Sequence, residues 1–148
     1  MDSTRSDCFT RGGLLAALAL AAAPLLPATA ADGKLEPKTG KASYYGPQFT
    51  GRPMADGTPF DPESNHAASR TLPLGTWVKV TNLENGRSEV VQIRDRGPYI
   101  DGRIIDLSPR TARNLDMIEQ GVVQVEVVPL NEEERQFALT EAELTSGE

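Results

Sequence analysis

Residues 90–110 read VVQIRDRGPYIDGRIIDLSPR, and this stretch decides how the rest of the chain is read. It begins with Val91 and Ile93 alternating with Gln92 and Arg94, the period-two pattern of a strand buried on one face. Arg96-Gly97-Pro98 breaks that pattern, and 103–107 (RIIDL) resumes it. Ser108-Pro109 then has the form of a helix start, a capping hydroxyl followed by a proline in the first turn. Three aspartates (Asp95, Asp101, Asp106) and four arginines (Arg94, Arg96, Arg103, Arg110) punctuate the stretch. Two of the acids, Asp95 and Asp106, fall at strand exits, where a barrel presents side chains at its mouth.

Working outward, further strands are expected at 42–45, 76–83 (TWVKVTNL), 88–94 (SEVVQIR) and 122–129 (VVQVEVVP). Asn85-Gly86 between two of them predicts a type I′ hairpin turn, because both residues accept positive φ. One helix is convincing, capped by Ser108 and running through 111–117, and Gly121 returns the chain to a strand. Many short strands, little helix and abundant Gly and Pro predict a small, mainly all-β barrel. Three loops, 46–61, 65–75 and 96–102, are too long for hairpin turns, and long ordered loops in a small domain tend to carry function.

The ends of the chain look different. Residues 1–30 combine Arg5 and Arg11, a Leu/Ala-rich run over 14–26, and small residues at Ala28 and Ala30, the pattern of a secretory signal peptide. The apolar run is short for a bilayer span, so no stable membrane insertion is expected after cleavage. Residues 31–40 read as a leader, and 131–148 as an acidic tail, either a surface helix or a frayed end. Cys8, the sole cysteine, precedes the apolar run, where it cannot become the lipidated first residue of a mature protein. With one histidine besides, neither a disulfide nor a transition-metal site nor any other cofactor is expected. The formal charge of −6 gives no electrostatic footprint for nucleic acid or anionic lipid.

Two carboxylates in one cleft, one protonated and one charged, are the apparatus for breaking a glycosidic bond. Asp95 and Asp106 fit that description; pairing with Arg96, Arg103 or loop amides would instead make them braces. Asp101, beside Gly102, reads as a turn residue. Tyr44, Tyr45, Phe49, Phe60, Trp77 and Tyr99 fall mostly on or near the loops and could stack on sugar rings, with Trp77 and Phe60 better suited to the core. His66 reads as an ordinary hydrogen-bonding histidine. A triad spelled from Ser69, His66 and Asp95 lacks a nucleophile-elbow motif.

The ordered series Ala42-Ser43-Tyr44-Tyr45-Gly46, Ala55-Asp56-Gly57, Thr71-Leu72-Pro73-Leu74-Gly75-Thr76, Asn85-Gly86-Arg87, Asp95-Arg96-Gly97-Pro98-Tyr99 and Arg103-Ile104-Ile105-Asp106-Leu107-Ser108 resembles the rare lipoprotein A family. The resemblance covers about 41–130 and implies a six-stranded double-psi β-barrel with one or two short helices. It also implies a bacterial cell-wall protein; with the signal peptide and the position of Cys8, the chain itself is expected to be periplasmic or secreted, unlipidated and monomeric. Members act as lytic transglycosylases on peptidoglycan glycan strands, preferring strands without stem peptides and leaving a 1,6-anhydro sugar. Plant expansins share the barrel and loosen walls without hydrolysis.

Position by position, the resemblance is incomplete. Thr58 stands where active members have glutamate, and Ser69 where they have histidine, while Asp61 and the aspartate before Arg-Gly-Pro, Asp95, are kept. The expected catalytic pair is therefore Asp95, as the acid, with Asp106 as partner. The expected glycan contacts are Tyr44, Tyr45, Thr58, Asp61, Ser69, Arg96 and Tyr99. The alternatives are an expansin-like module that grips glycan without cutting it, and a structural envelope domain.

Overall fold

The computed structural model describes residues 35–145; the expected signal peptide, the start of the leader and the last three residues lie outside the described residues. Six strands follow one another: β1 (Lys38–Tyr44), β2 (His66–Ala68), β3 (Trp77–Asn82), β4 (Ser88–Asp95), β5 (Arg103–Leu107) and β6 (Val123–Leu130). They close a barrel in the order β1-β5-β2-β4-β3-β6. β1 with β5 and β2 with β4 run parallel, and the other neighbours run antiparallel. Parallel neighbours cannot be joined by a hairpin, which is why the chain needs its long loops.

Alternation decides which residues face inward. Val78 and Val80 of β3, Val91 and Ile93 of β4, Ile105 and Leu107 of β5, and Val123, Val125 and Val127 of β6 are buried in one cluster. Most are β-branched, the side chains that pack best on a pleated surface. Leu72, Ala112, Leu115 and Met117 join them from outside the strands.

The helix α1 (Pro109–Asn114) starts as expected, with Ser108 Oγ accepting from the Thr111 amide at 3.2 Å. It ends earlier than the expected 117. Asp116 takes a left-handed φ of 53°, and the Met117 amide then donates to the Ala112 carbonyl, so Leu115 and Met117 turn into the core. The Leu115 carbonyl accepts from Asn82 Nδ2 at 3.0 Å and Asn85 Nδ2 at 2.9 Å. That is why an asparagine, 1% exposed, occupies an inward position of β3.

The same contact explains a departure at the β3–β4 turn. Only Gly86 has positive φ, 78°, so the expected type I′ turn does not form. Asn85 is instead held by its own side chain, which also accepts from the Arg87 amide at 2.9 Å. β1 begins at Lys38, inside the expected leader, because those residues pair with β6 while most of their side chains stay exposed. β2 lies in what reads as a loop. At three residues it is too short to show alternation. The acidic tail forms α2 (Glu132–Thr145), the surface-helix alternative. Its start is a reciprocal cap: Asn131 Oδ1 accepts from the Glu134 amide at 2.8 Å, and Glu134 Oε2 from the Asn131 amide at 2.9 Å. Arg135 lies 5.3 Å from the centre of the Trp77 ring and fastens α2 to β3. Among the described residues no helix is long and apolar enough to cross a membrane.

Asn82→Ala removes a buried donor and is expected to cost about 1–3 kcal/mol. Asn85→Ala, whose side chain is exposed, should cost less. Urea denaturation of the two variants measures the order, and equal losses would show that the Leu115 latch does not depend on burial.

Candidate functional site

Strand register assembles the site. Ser43 on β1 lies opposite Asp106 on β5, Asp106 opposite Ala68 on β2, and Ala68 opposite Asp95 on β4. Paired residues of neighbouring strands project to the same face, so Ser43, Asp106, Ala68 and Asp95 form one row. Ala42, Ala67, Ile105 and Leu107, each next to a member of this row, belong to the core, and a register shift between Ala67 and Ala68 carries the pairing from Ile93, also core, to Asp95. The acids thus stand on the outer wall of the barrel at the ends of β4 and β5, two strand spacings or ~10 Å apart at Cα. The methyl of Ala68 is all that the intervening strand places between them.

Asp95 is fixed by three donors. Tyr45 Oη donates to Oδ2 at 2.7 Å, and the amides of Ala55 and Arg96 donate to Oδ1 at 2.9 and 2.8 Å. The Tyr45 ring is in turn held between Phe49 and Phe60, at centroid distances of 5.4 and 4.4 Å. Phe60 and Met54 are buried outside the central cluster, under the loop that covers this wall. Burial, followed by the hydrogen bond and charge of Asp95, raises the Tyr45 pKa far above the ordinary phenol value and keeps it a donor.

Asp106 has a different environment. Burial is the largest influence on its carboxyl and raises its pKa; the nearby charge of Asp95 adds a smaller push upward. The Ser43 hydroxyl, which donates to Asp106 Oδ1, and the charge of Arg103 act the other way. Oδ1 is thus taken by Ser43. Arg103 Nη1 donates to Ser43 Oγ at 3.4 Å and so completes a chain from guanidinium to hydroxyl to carboxyl.

Both acids open on a cleft of about 400 Å³. Tyr44, Tyr45, Phe49, Arg96, Tyr99, Ile100 and Arg103 also line it. Tyr99 and Ile100 stand at the rim, 78% and 53% exposed. Of the expected residues, the fold therefore gathers Asp95, Asp106, Tyr44, Tyr45, Arg96 and Tyr99.

The other three expected glycan contacts, Thr58, Asp61 and Ser69, do not line the cleft. Thr58 Oγ1 donates to Asp56 Oδ1 at 2.6 Å, which lowers the Asp56 pKa, and Asp56 pairs with Arg94 at 3.0 Å. Asp61 Oδ1 accepts from the Glu63 amide at 2.9 Å. Ser69 is buried; its hydroxyl accepts from the Thr71 and Leu72 amides, and it borders a separate cavity of about 70 Å³. All three stabilise loops. Arg96 reaches the cleft, but its guanidinium donates to the Ser69 and Leu72 carbonyls at 2.9 and 2.6 Å. His66 lies on β2 with its Nδ1 buried and unpartnered, and burial followed by the Arg94 charge lowers its pKa. Sequence reasoning missed Ser43 as a site residue. Its register opposite Asp106 is the signal that finds it.

The model of the lytic transglycolase family matches residues 37–127. A probable endolytic peptidoglycan transglycosylase RlpA from Nostoc sp. is 56% identical over 90 residues, which is 60% of this chain and 24% of the relative. The endolytic peptidoglycan transglycosylase RlpA of Vibrio cholerae is 45% identical over 96 residues, 64% of this chain and 36% of the relative. The chain thus spans roughly a quarter to a third of the length of these relatives. Among solved structures, a Streptomyces papain inhibitor superposes with a TM-score of 0.53 at 29% identity, over 66% of this chain and 97% of the inhibitor. An apo expansin from Clavibacter michiganensis gives 0.52 at 21% identity, over 66% of this chain and 52% of that chain, a likeness of fold.

A carboxyl with a raised pKa in the folded state stabilises the protein while protonated, and that contribution is lost as pH rises through the folded pKa. Asp106→Asn, which stays neutral, should therefore gain stability relative to the parent as pH increases from the ordinary carboxylate range to neutrality. Urea denaturation across this range tests it. A constant difference would mean that Asp106 is not the perturbed acid.

Proposed function

Because the chain belongs to the lytic transglycolase family, we propose that its cleft binds peptidoglycan glycan strands and cleaves them by lytic transglycosylation. The single observation that carries this reading is the contrast between two carboxyls in one row, Asp106 half-buried with its pKa raised and Asp95 held by three donors. The roles are the reverse of those expected from the sequence, with Asp106 as the acid and Asp95 as its partner.

Asp106 Oδ2 donates its proton to the bridging oxygen as the bond to C1 breaks. Positive charge develops at C1 and the ring oxygen, and the Asp95 carboxylate, locked in place, stabilises it. The muramyl 6-hydroxyl then attacks C1 and returns its proton to Asp106. The acid is regenerated, the product is a 1,6-anhydro sugar, and no water is consumed. Tyr44, Tyr99 and Phe49 offer ring faces for the sugars on either side. Such a substrate places the protein in the bacterial envelope, periplasmic or secreted, and one barrel supplies the entire cleft, so a monomer suffices.

A second reading has its own support. Thr58 and Ser69 occupy positions where active family members carry glutamate and histidine, and here both hold loops together. On that reading the cleft grips the strand and does not cut it.

Incubation of the purified protein with peptide-free glycan strands, with anhydro ends quantified by mass spectrometry, separates the two. The transglycosylase reading expects anhydro ends from the parent and none above background from Asp106→Asn. For Asp95→Asn it expects a fall of about 10²–10⁴-fold, with strand binding retained in both variants. Binding without anhydro product at any protein concentration would leave the binding module standing.

A further inference from the structure

The cleft contains two arginines, and they are not equivalent. Arg96 is occupied with two loop carbonyls. The Arg103 side chain makes, among the described residues, one long hydrogen bond, 3.4 Å to Ser43 Oγ, and takes part in none of the ion pairs found there. A guanidinium has five N–H donors in a fixed fork that matches a carboxylate. Most of that capacity faces the cleft unused, three residues from Asp106 along β5. An uncharged sugar needs no such cation.

On the glycan-strand reading above, one chemical group answers to it. A strand of alternating N-acetyl sugars is uncharged except at the muramyl residue, whose lactyl ether ends in a carboxyl. That carboxyl is an amide while a stem peptide is attached and an anion once the peptide is removed. We propose that Arg103 is the specificity-determining residue of this cleft, pairing its guanidinium with the free lactyl carboxylate of a muramyl residue.

The placement suits the chemistry. Arg103 and Asp106 share Ser43 Oγ as a hydrogen-bond partner, so a muramyl residue seated on Arg103 brings its C1 side toward the acid. Occupancy also changes the field at Asp106. Ser43 faces that carboxyl from β1, Asp95 from β4, and Arg103 from its own strand. A ligand carboxylate offsets the Arg103 charge, which otherwise favours ionised Asp106, and so helps the acid retain its proton. An amide in the same position cannot do this. The free carboxylate thereby contributes to binding and to acid strength together.

The test uses two preparations of the same peptide-free strands, one with free lactyl carboxylates and one with those carboxylates coupled to methylamine. Equilibrium binding of the purified protein should favour the free-carboxylate strands by about tenfold, the difference between a charge-assisted and a neutral hydrogen bond. Arg103→Gln should lose that preference, and Arg103→Lys should recover part of it. Equal binding of both strands by the parent overturns the Arg103 assignment and leaves the glycan reading intact. So does a uniform loss of binding in Arg103→Gln. Absence of binding to either preparation overturns the glycan reading and the assignment with it. The preference of the parent protein is decisive even if a variant fails to fold.

Discussion

A strand of three residues, β2, holds the molecule and its site in one arrangement. It pairs in parallel with β4 and antiparallel with β5, and without it the barrel is open between them. Its middle residue, Ala67, belongs to the core, and the next, Ala68, belongs to the wall on which the acids stand. The spacing of Asp95 and Asp106 is therefore a property of backbone hydrogen bonding, which is stiff, and not of flexible side chains. A side chain larger than alanine at position 68 would fill the gap between the carboxyls.

The two acids share a row but not an environment. Asp95 meets donors from three directions, the Tyr45 hydroxyl and two loop amides, so its position is set by the loops over the wall. Asp106 meets one hydroxyl and is half-buried, and burial is the largest influence raising its pKa. A carboxyl whose pKa is raised, beside one held by three donors, can divide with it the work of acid and anion. The aromatic stack of Phe49, Tyr45 and Phe60 matters here because it aims the hydroxyl that fixes one acid.

Much of this was legible in the sequence where neighbours along the chain determine structure. β3, β4, β5 and β6 announce themselves because alternating side chains meet water on one face and core on the other. The Ser108 cap is likewise local. β2 was not legible, since its existence depends on partners 26–27 and 38–40 residues away and its own three residues carry no period. The turn at Asn85 misled for a related reason: the dipeptide favours one backbone conformation alone, but a distant carbonyl, that of Leu115, claims its side chain. At the site, Asp95 and Asp106 could be singled out from strand ends, whereas Ser43 looks like any small strand residue until register sets it opposite Asp106. Thr58 and Ser69 could be singled out through the resemblance alone. That their hydroxyls turn toward loop atoms depends on the folded paths of 54–61 and 69–74.

Every strand of the closed barrel has a partner on both sides. That leaves no long ladder edge to which another polypeptide could add a strand, a protection against aggregation for a protein with so much β-structure. It also means that the loops can vary without disturbing the ladder. Residues 46–65, 69–76 and 96–102 lie outside the six strands, and Thr58 and Ser69 fall among them. Such a frame is evolvable: chemistry can be gained, weakened or redirected by point changes in the loops while the scaffold keeps its stability. The similarity of one barrel to transglycosylases, an expansin and a papain inhibitor is what that separation of scaffold from loops permits.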